Sequence, residues 1–428
     1  MNSIPLHARA ISTTMATKLF FPSVVAIACF TTMLPSVVKA DRPELVKVRA
    51  ALESGKQPVK IVCFGDSITG IYYHSGGRRA WPEMLGIALK QIYPNSKATI
   101  VNSGLSDDST IRALARFERD VLVHQPDVVV VMFGMNDIVR LPPDQFRDNL
   151  LKIVHLSQSS GAAVIVSTQN NILETEASGG RTNQKLAEFA DVIRQIGRSE
   201  QIPVADCYAA FETIRTRDER AWLMLLSDPF HPNMNGHKRI AEQVAVAITG
   251  KSISLEDVGP PVPSIPKTLR LLQAGKPVAV LAMPPYDGKI GQALRTAFPT
   301  AEIKISPWPV AGKTAAELEA GFLGTVKDLV VVAVPLEITP RDEMACRQFY
   351  SRLLNNTLSS GRQEWDVLVI PPSLAQVQLS AEDRQLDDVV QRVVAAQDLG
   401  SVNRMPDDTA EDVDLLTKWV KEQIRLAQ

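Results

Sequence analysis

The sequence contains few cysteines and no cluster of them. Four occur in 428 residues, and Cys63, Cys207 and Cys346 are the ones beyond the N-terminal 40 residues. Widely spaced cysteines in odd number do not make a disulfide scaffold. The chain also has no CxxC pair, no HExxH segment and no Walker-type glycine loop. We therefore expect a protein that folds on apolar cores, and these absences are consistent with a protein that uses no metal or other cofactor.

The chain also lacks an excess of positive charge. It has 46 basic and 47 acidic residues, and the basic ones are not gathered into a stripe. Nucleic-acid binding depends on Lys and Arg that neutralise phosphates, so a nucleic acid is not an expected partner. The sequence gives no indication of the oligomeric state.

Acidic residues are absent from residues 1–40. An apolar stretch, residues 19–34, follows two basic residues and precedes the small-x-small sequence Val38-Lys39-Ala40. This order is typical of a signal peptide, so we expect cleavage after residue 40 and a periplasmic or secreted protein. Two alternatives stay open, a membrane anchor in this segment and lipidation of Cys29. No similar apolar stretch follows, so no membrane span is expected in the mature chain.

From residue 59 onward, short apolar runs alternate with amphipathic stretches of helical period. Strands separated by helices indicate a parallel sheet covered on both faces. The pattern predicts an α/β fold with a doubly wound, flavodoxin-like sheet. The predicted strands are residues 59–64, 98–102, 127–133, 162–168 and 203–206.

A proline-dense stretch, residues 259–266, divides the chain. It predicts a domain at 41–250, a stiff linker at 251–267 and a second, smaller α/β domain at 268–428. The second domain contains segments similar to the first: LESGKQPV at 52–59 resembles LQAGKPV at 272–278. We interpret it as a degenerate repeat, although any two α/β domains share some of this rhythm.

Four polar segments of the first domain stand where ligands bind in open parallel sheets. Ser67 follows the first strand and could act as a nucleophile. Asp228 precedes His231 by three residues, so it could orient that histidine as a base. Gly104 and Asn136 follow the second and third strands and could, with the N–H of Ser67, stabilise an oxyanion. Asp66 is expected to hold the turn.

These segments resemble the SGNH/GDSL hydrolase family in content and in order. The matching residues are Gly65-Asp66-Ser67, Gly104, Gly134-x-Asn136-Asp137 and Asp228-x-x-His231. The resemblance, which covers residues 55–250, implies hydrolysis of carboxylic esters through an acyl-enzyme. It assigns Ser67 as nucleophile, His231 as base, Asp228 as its orienter, and Ser67, Gly104 and Asn136 as the oxyanion hole. Ile68 replaces the leucine of the family name, and both are apolar.

The loop after Ser67 bears on the substrate. It contains Tyr72, Tyr73, His74 and Arg78, and we expect these residues to contact substrate. Aromatic and cationic side chains suit a short acyl group, such as acetyl, on a carbohydrate or another polar alcohol. His74 is also an alternative base. Alternative activities are an acyltransferase with the same triad, a lysophospholipase or thioesterase, and a carbohydrate-binding protein without activity.

The second domain lacks the residues of such a site. Pro284-Pro285-Tyr286 stands where the first domain has Gly65-Asp66-Ser67, and no histidine follows His237. A serine–histidine pair cannot be built from residues 251–428 alone. We therefore expect a catalytically silent domain that either supports the first or binds carbohydrate.

Overall fold

The computed structural model describes residues 42–320, 327–358, 364–405 and 408–428. The predicted signal peptide, residues 1–40, lies outside these residues. Within the part of the chain that the structure describes, no helix is both long and apolar enough to span a bilayer.

The first domain alternates helices and strands, as its sequence pattern predicts. Its strands are β1 (Pro58–Gly65), β2 (Lys97–Gly104), β3 (Val128–Met132), β4 (Ala163–Ser167) and β5 (Val204–Ala205). Its helices are α1 (Pro43–Ser54), α2 (Trp81–Ile92), α3 (Thr110–Asp120), α4 (Pro143–Ser159), α5 (Asn183–Glu200), α6 (Cys207–Arg217), α7 (Glu219–Leu223) and α8 (Met234–Thr249).

The five strands form one parallel sheet in the order β2-β1-β3-β4-β5. This is the predicted flavodoxin-like order, which confirms the fold class. β3 and β4 are buried along their whole length, because helices cover both faces of the sheet. β1 and β2 end level with each other, at the paired residues Gly65 and Gly104. Their carboxyl ends therefore open onto the same edge.

The second domain is a smaller α/β domain with four parallel strands. They are β6 (Val278–Ala282), β7 (Ile303–Pro307), β8 (Leu329–Val332) and β9 (Asp366–Val369), in the order β7-β6-β8-β9. The helices are α9 (Pro266–Gln273), α10 (Tyr286–Ala297), α11 (Ala315–Ala320), α12 (Glu343–Thr357), α13 (Pro372–Ala375), α14 (Ala381–Ala396) and α15 (Asp412–Leu426). The strand order is that of β2-β1-β3-β4, while descent of this domain from a duplication stays a prediction.

Each sheet has its own apolar core. The buried residues of the first core run from Leu45 to Leu255, and those of the second from Ile265 to Val420. The described residues 250–265 form neither helix nor strand. Part of this connection is packed, because Ser264 is buried and its N–H donates to Gln423 at 2.7 Å.

Candidate active site

Ser67, His231 and Asp228 are joined by hydrogen bonds at the carboxyl edge of the first sheet. Ser67 Oγ lies 3.0 Å from His231 Nε2, and His231 Nδ1 lies 2.6 Å from Asp228 Oδ2. Ser67 and His231 are both buried, each with 7% of its surface exposed. A hydroxyl, an imidazole and a carboxylate in this order can pass the serine proton to the histidine.

A tight turn presents Ser67 directly after β1. The N–H groups of Thr69 and Gly70 both donate to Asp66 O at 3.1 Å. Asp66 Oδ1 accepts from Ile68 N at 2.9 Å, which closes the turn on its other side. Gly65 has no room for a side chain, since a Cβ there would lie 2.1 Å from Thr69 Oγ1. The chain can therefore turn close to β3 and place the serine at the sheet edge.

The carboxyl group of Asp66 is completely buried. Its second oxygen accepts from Gln169 Nε2 at 3.2 Å. Burial is the main cause that raises the pKa of Asp66 to about 7, and the negative charges of Asp137 and Asp108 act in the same direction. The turn behind the serine therefore contains a carboxyl group that titrates near neutral pH.

Asp228 and His231 lie on residues 223–233, which we call the acid–base loop. Asp228 Oδ1 accepts from the backbone N–H groups of Phe230 and His231, at 3.0 and 2.8 Å. The loop is closed on itself, because Ser227 N donates to His231 O at 2.9 Å. These bonds fix the carboxylate below the imidazole that it orients.

The charge of Asp228 is stabilised within this loop. Burial alone would raise the pKa of Asp228, but the charge of His231 and the hydrogen bonds from His231 and Phe230 outweigh burial and lower it. Tyr73 Oη also donates to Asp228 Oδ2, at 3.3 Å. Asp228 is therefore ionised at neutral pH and can stabilise a protonated His231.

Three histidine rings are stacked behind the serine. The His74 ring lies parallel to that of His231, with centroids 4.2 Å apart, and faces His237 on its other side at 5.8 Å. Burial lowers the pKa of His74 well below its usual value and that of His237 to about 3. His74 is thus a neutral packing partner of His231. The alternative of His74 as the base is not supported, because the serine hydroxyl contacts His231.

Asn136 is buried and lies after β3, the strand next to β1 in the sheet, and its amide has a fixed orientation. Asn136 Nδ2 donates to Asp108 O at 2.8 Å, and Oδ1 accepts from Arg181 Nη2 at 2.8 Å. Arg181 Nε also donates to Met135 O at 3.0 Å. Arg181 could not be singled out from the sequence, because it lies in a loop after β4 that carries no recognisable motif. Only its hydrogen bonds to Met135 and Asn136 in the structure associate it with the site.

Gly104 differs from the prediction of a bare backbone donor. Its N–H donates to Asn102 Oδ1 at 3.1 Å, so the asparagine two residues earlier occupies it. A larger residue would not fit at position 104, because a Cβ there would lie 2.1 Å from Gly70 N. Gly104 lets β2 approach the turn that carries Ser67.

The prediction that Arg78 contacts substrate is wrong for a physical reason. Its side chain is 9% exposed and lies against the second domain, where Nη2 donates to Ser264 O and approaches Asp366 at 3.7 Å. The neighbouring Arg79 Nε donates to Asp398 Oδ2 at 2.8 Å. Both cations of the loop therefore connect the two domains.

The two tyrosines of this loop remain at the site. Tyr72 is half-buried, and its Oη accepts from Ser106 N at 2.8 Å. Tyr73 is half-buried as well and meets the His231 ring edge-on, with centroids 6.2 Å apart. Of the predicted substrate residues, the structure thus leaves Tyr72 and Tyr73 partly accessible beside the triad.

The described residues contain no group of three or more His, Cys, Asp or Glu side chains that could bind a metal ion. Cys63, Cys207 and Cys346 are buried free thiols, and burial raises the pKa of each.

Comparisons with known proteins give relatives for the first domain. The GDSL-like Lipase/Acylhydrolase family model matches residues 63–239. An arylesterase from Vibrio mimicus is 28% identical over 187 residues, which are 44% of this chain and 86% of the relative. An acetylxylan esterase from Geobacillus stearothermophilus is 28% identical over 165 residues, 36% of this chain and 73% of the relative. The crystal structure of a lipase/acylhydrolase from Enterococcus faecalis is 26% identical, with a TM-score of 0.40, and covers 46% of this chain and 99% of its own.

Proposed function

We propose that this carboxylic ester hydrolase, in which residues 63–239 form a domain of the GDSL-like lipase/acylhydrolase family, cleaves short acyl esters of polar alcohols. Ser67 is the proposed nucleophile. The observation that carries this proposal is the hydrogen-bonded series of Ser67, His231 and Asp228. Acetyl groups on a carbohydrate are the proposed substrate.

The reaction follows from the positions of these atoms. Ser67 Oγ attacks the ester carbonyl carbon while its proton moves to His231 Nε2, and Asp228 stabilises the imidazolium. The tetrahedral intermediate breaks its bond to the alcohol oxygen, which takes the proton from His231. Water then attacks the acyl carbon and gives a proton to His231. The bond between that carbon and Ser67 Oγ breaks, Oγ takes the proton from His231, and the carboxylic acid is released.

The developing oxyanion needs donors near Ser67. One N–H of the Asn136 amide is used by Asp108 O, so its second N–H is available for substrate. The N–H of Ser67 is the second proposed donor. Gly104 N–H becomes a third if it exchanges Asn102 Oδ1 for the substrate oxygen. Each such donor is worth on the order of 3 kcal/mol of barrier.

Two considerations support a carbohydrate or another polar alcohol. Tyr72 and Tyr73 stand half-buried beside the triad, where an aromatic face can stack on a sugar ring. A relative of this domain is named an acetylxylan esterase. Arg78 and Arg79 have no part in this proposed binding of substrate, because they contact the second domain.

The first test is the hydrolysis of p-nitrophenyl acetate, butyrate and octanoate by the chain without residues 1–40. We expect acetate to be cleaved best, and Ser67→Ala and His231→Ala to lower kcat by about 10⁴-fold or more. Acetylated xylan is the next substrate, with Tyr72→Ala and Tyr73→Ala expected to raise KM on it. Activity that survives in Ser67→Ala contradicts the assignment of the nucleophile.

The same assays separate the alternatives. Preference for octanoate or for an acyl-CoA would favour a lysophospholipase or thioesterase. Transfer of acetyl to an added sugar, detected by mass spectrometry, would favour an acyltransferase. Binding of xylan without any turnover would favour a carbohydrate-binding protein.

We also propose that the protein is exported and acts in the periplasm or outside the cell. The support is the order of charge, apolar stretch and small residues in positions 1–40. The N-terminal sequence of the protein recovered from a periplasmic or culture fraction tests it. A mature N-terminus near residue 41 is expected, and an intact residue 1 in a membrane fraction would favour an anchor.

A further inference from the structure

The second domain contacts the acid–base loop at the residue before Asp228. Ser227 Oγ donates to Asn355 Oδ1 at 2.9 Å, and Asn355 Nδ2 donates back to Ser227 O at 3.2 Å. Gln397 Nε2 donates to Ser227 Oγ at 2.9 Å and to Asn355 Oδ1 at 3.0 Å. Two amides of the second domain thus bind both the hydroxyl and the carbonyl of Ser227.

A buried arginine of the second domain binds the same loop one turn earlier. Arg347 Nη1 donates to the carbonyl oxygens of Leu223 and Leu226, at 2.9 and 3.1 Å. Arg347 is 5% exposed, and burial lowers its pKa to about 10, so it is still protonated at neutral pH. A buried cation needs polar partners to offset its lost hydration, and the loop carbonyls provide them.

These contacts come from two elements that also approach the other half of the site. Arg347 and Asn355 are on α12, which packs against the turn that contains His74. Gln397 directly follows α14, and its carbonyl approaches Gly76 so closely that a Cβ there would lie 2.3 Å from it. The second domain therefore contacts both the loop that carries His231 and the turn that carries His74.

We propose that the second domain positions the acid–base loop for catalysis, with Asn355, Gln397 and Arg347 as positioning residues. The proposal rests on the proposed function, because it assigns a role to the loop through His231. Ser67 and His231 come from segments 164 residues apart, so their 3.0 Å contact depends on how the loop is held. A displacement of about 1 Å from the reactive geometry can cost about 10²-fold in rate.

The test compares Asn355→Ala and Gln397→Ala with Gln391→Ala in the full chain without residues 1–40. Gln391 is a matched control, because its amide donates to Asp387 Oδ2 at 2.6 Å within the second domain. We expect the first two variants to lower kcat on p-nitrophenyl acetate by about 10-fold or more, with KM changed by less than about 3-fold. The control is expected to keep the kcat of the wild type.

A double-mutant cycle shows whether Asn355 acts through Ser227. If it does, Ser227→Ala with Asn355→Ala together should lose no more kcat than the more severe single variant. Additive losses, an unchanged kcat in Asn355→Ala, or an equal loss in Gln391→Ala would each overturn the inference.

Hydrogen exchange separates this inference from the proposed function. In Asn355→Ala, amides of residues 223–233 should exchange at least about 10-fold faster, while those of β1 stay unchanged. If the wild type cleaves no ester, the proposed function fails while the exchange rates still decide the role of the second domain. Unchanged protection of the loop would overturn the inference whatever the activity.

Discussion

The imidazole rings of His74 and His231 lie parallel, with centroids 4.2 Å apart and planes inclined by 3°. His74 is buried, and its ring is stacked on the rings of both His231 and His237. Burial, followed by the charges of His231 and His237, lowers the pKa of His74, so this ring stays neutral. A neutral ring can support a protonated His231, whereas a second imidazolium at this distance would repel it.

His74→Ala and His74→Phe test this packing role. The alanine variant should lose about 2–4 kcal/mol of unfolding free energy and about 10-fold in kcat, because a cavity opens behind His231. The phenylalanine variant keeps a flat ring and should recover most of both. Urea unfolding and p-nitrophenyl acetate turnover measure the two effects. A His74→Ala variant with the wild-type kcat would mean that His231 needs no support from this side.

Asp228 and its neighbour Tyr73 should differ greatly in importance. Asp228→Asn replaces the oxygen that accepts from His231 Nδ1, so the wrong tautomer is favoured and kcat should fall by about 10⁴-fold. Tyr73→Phe removes one bond of 3.3 Å and leaves Asp228 its bonds from Phe230 and His231. We expect a loss below about 10-fold. Steady-state kinetics of both variants on one ester makes the comparison, and equal losses would assign Tyr73 a direct part in the reaction.

Arg181 should act through Asn136. Its guanidinium donates to Asn136 Oδ1 and so determines which way the amide points its N–H groups. Arg181→Ala should lower kcat by about 10²-fold, similar to Asn136→Ala, with each loss coming from the oxyanion. The double variant should be no slower than Asn136→Ala. If the two losses of kcat multiply instead, Arg181 acts independently of Asn136 and contacts the substrate directly.

The sequence was sufficient where local patterns determine the structure. Val128–Met132 is a continuous apolar strand because both faces of a parallel sheet are covered, and such an apolar run can be recognised from the sequence. The position of Ser67 at the carboxyl end of β1 could also be predicted, because a polar segment directly follows that apolar run. The strand order and the place of Ser67 could therefore be anticipated.

Contacts between distant side chains could not be anticipated. The charge of Arg78 suits either a substrate or Asp366. Which of the two it contacts depends on how the second domain packs against the first. Asn355 and Gln397 look like ordinary helix-surface amides in the sequence, and their contact with Ser227 depends on the same docking. The occupation of Gly104 N–H by Asn102 was the exception, because an asparagine two residues earlier is a local signal that could have been used.

Asp66→Asn should make stability depend less on pH. Burial raises the pKa of Asp66 from 3.8 to about 7, so between these values the folded state binds a proton that the unfolded state has lost. The stability contribution of this group is therefore complete below about pH 4 and is lost as pH rises to 7. Asparagine does not titrate, and its side-chain oxygen can still accept from Ile68 N. As pH rises across this window, the free energy of unfolding of Asp66→Asn should increase relative to that of the wild type by up to about 1.4 kcal/mol per pH unit.

Urea unfolding at pH 4.5, 5.5, 6.5 and 8 measures that gain, and Asp120→Asn is the control. The hydrogen bond from Arg119, followed by that from Arg116, lowers the pKa of Asp120, so its stabilising contribution is lost only below its usual titration range. The stability difference between Asp120→Asn and the wild type should thus stay constant from pH 4.5 to 8, whereas that of Asp66→Asn should widen and level off above pH 7. A constant difference for Asp66→Asn would mean that its carboxyl group is ionised throughout, with Gln169 and Ile68 sufficient to stabilise a buried charge behind the nucleophile.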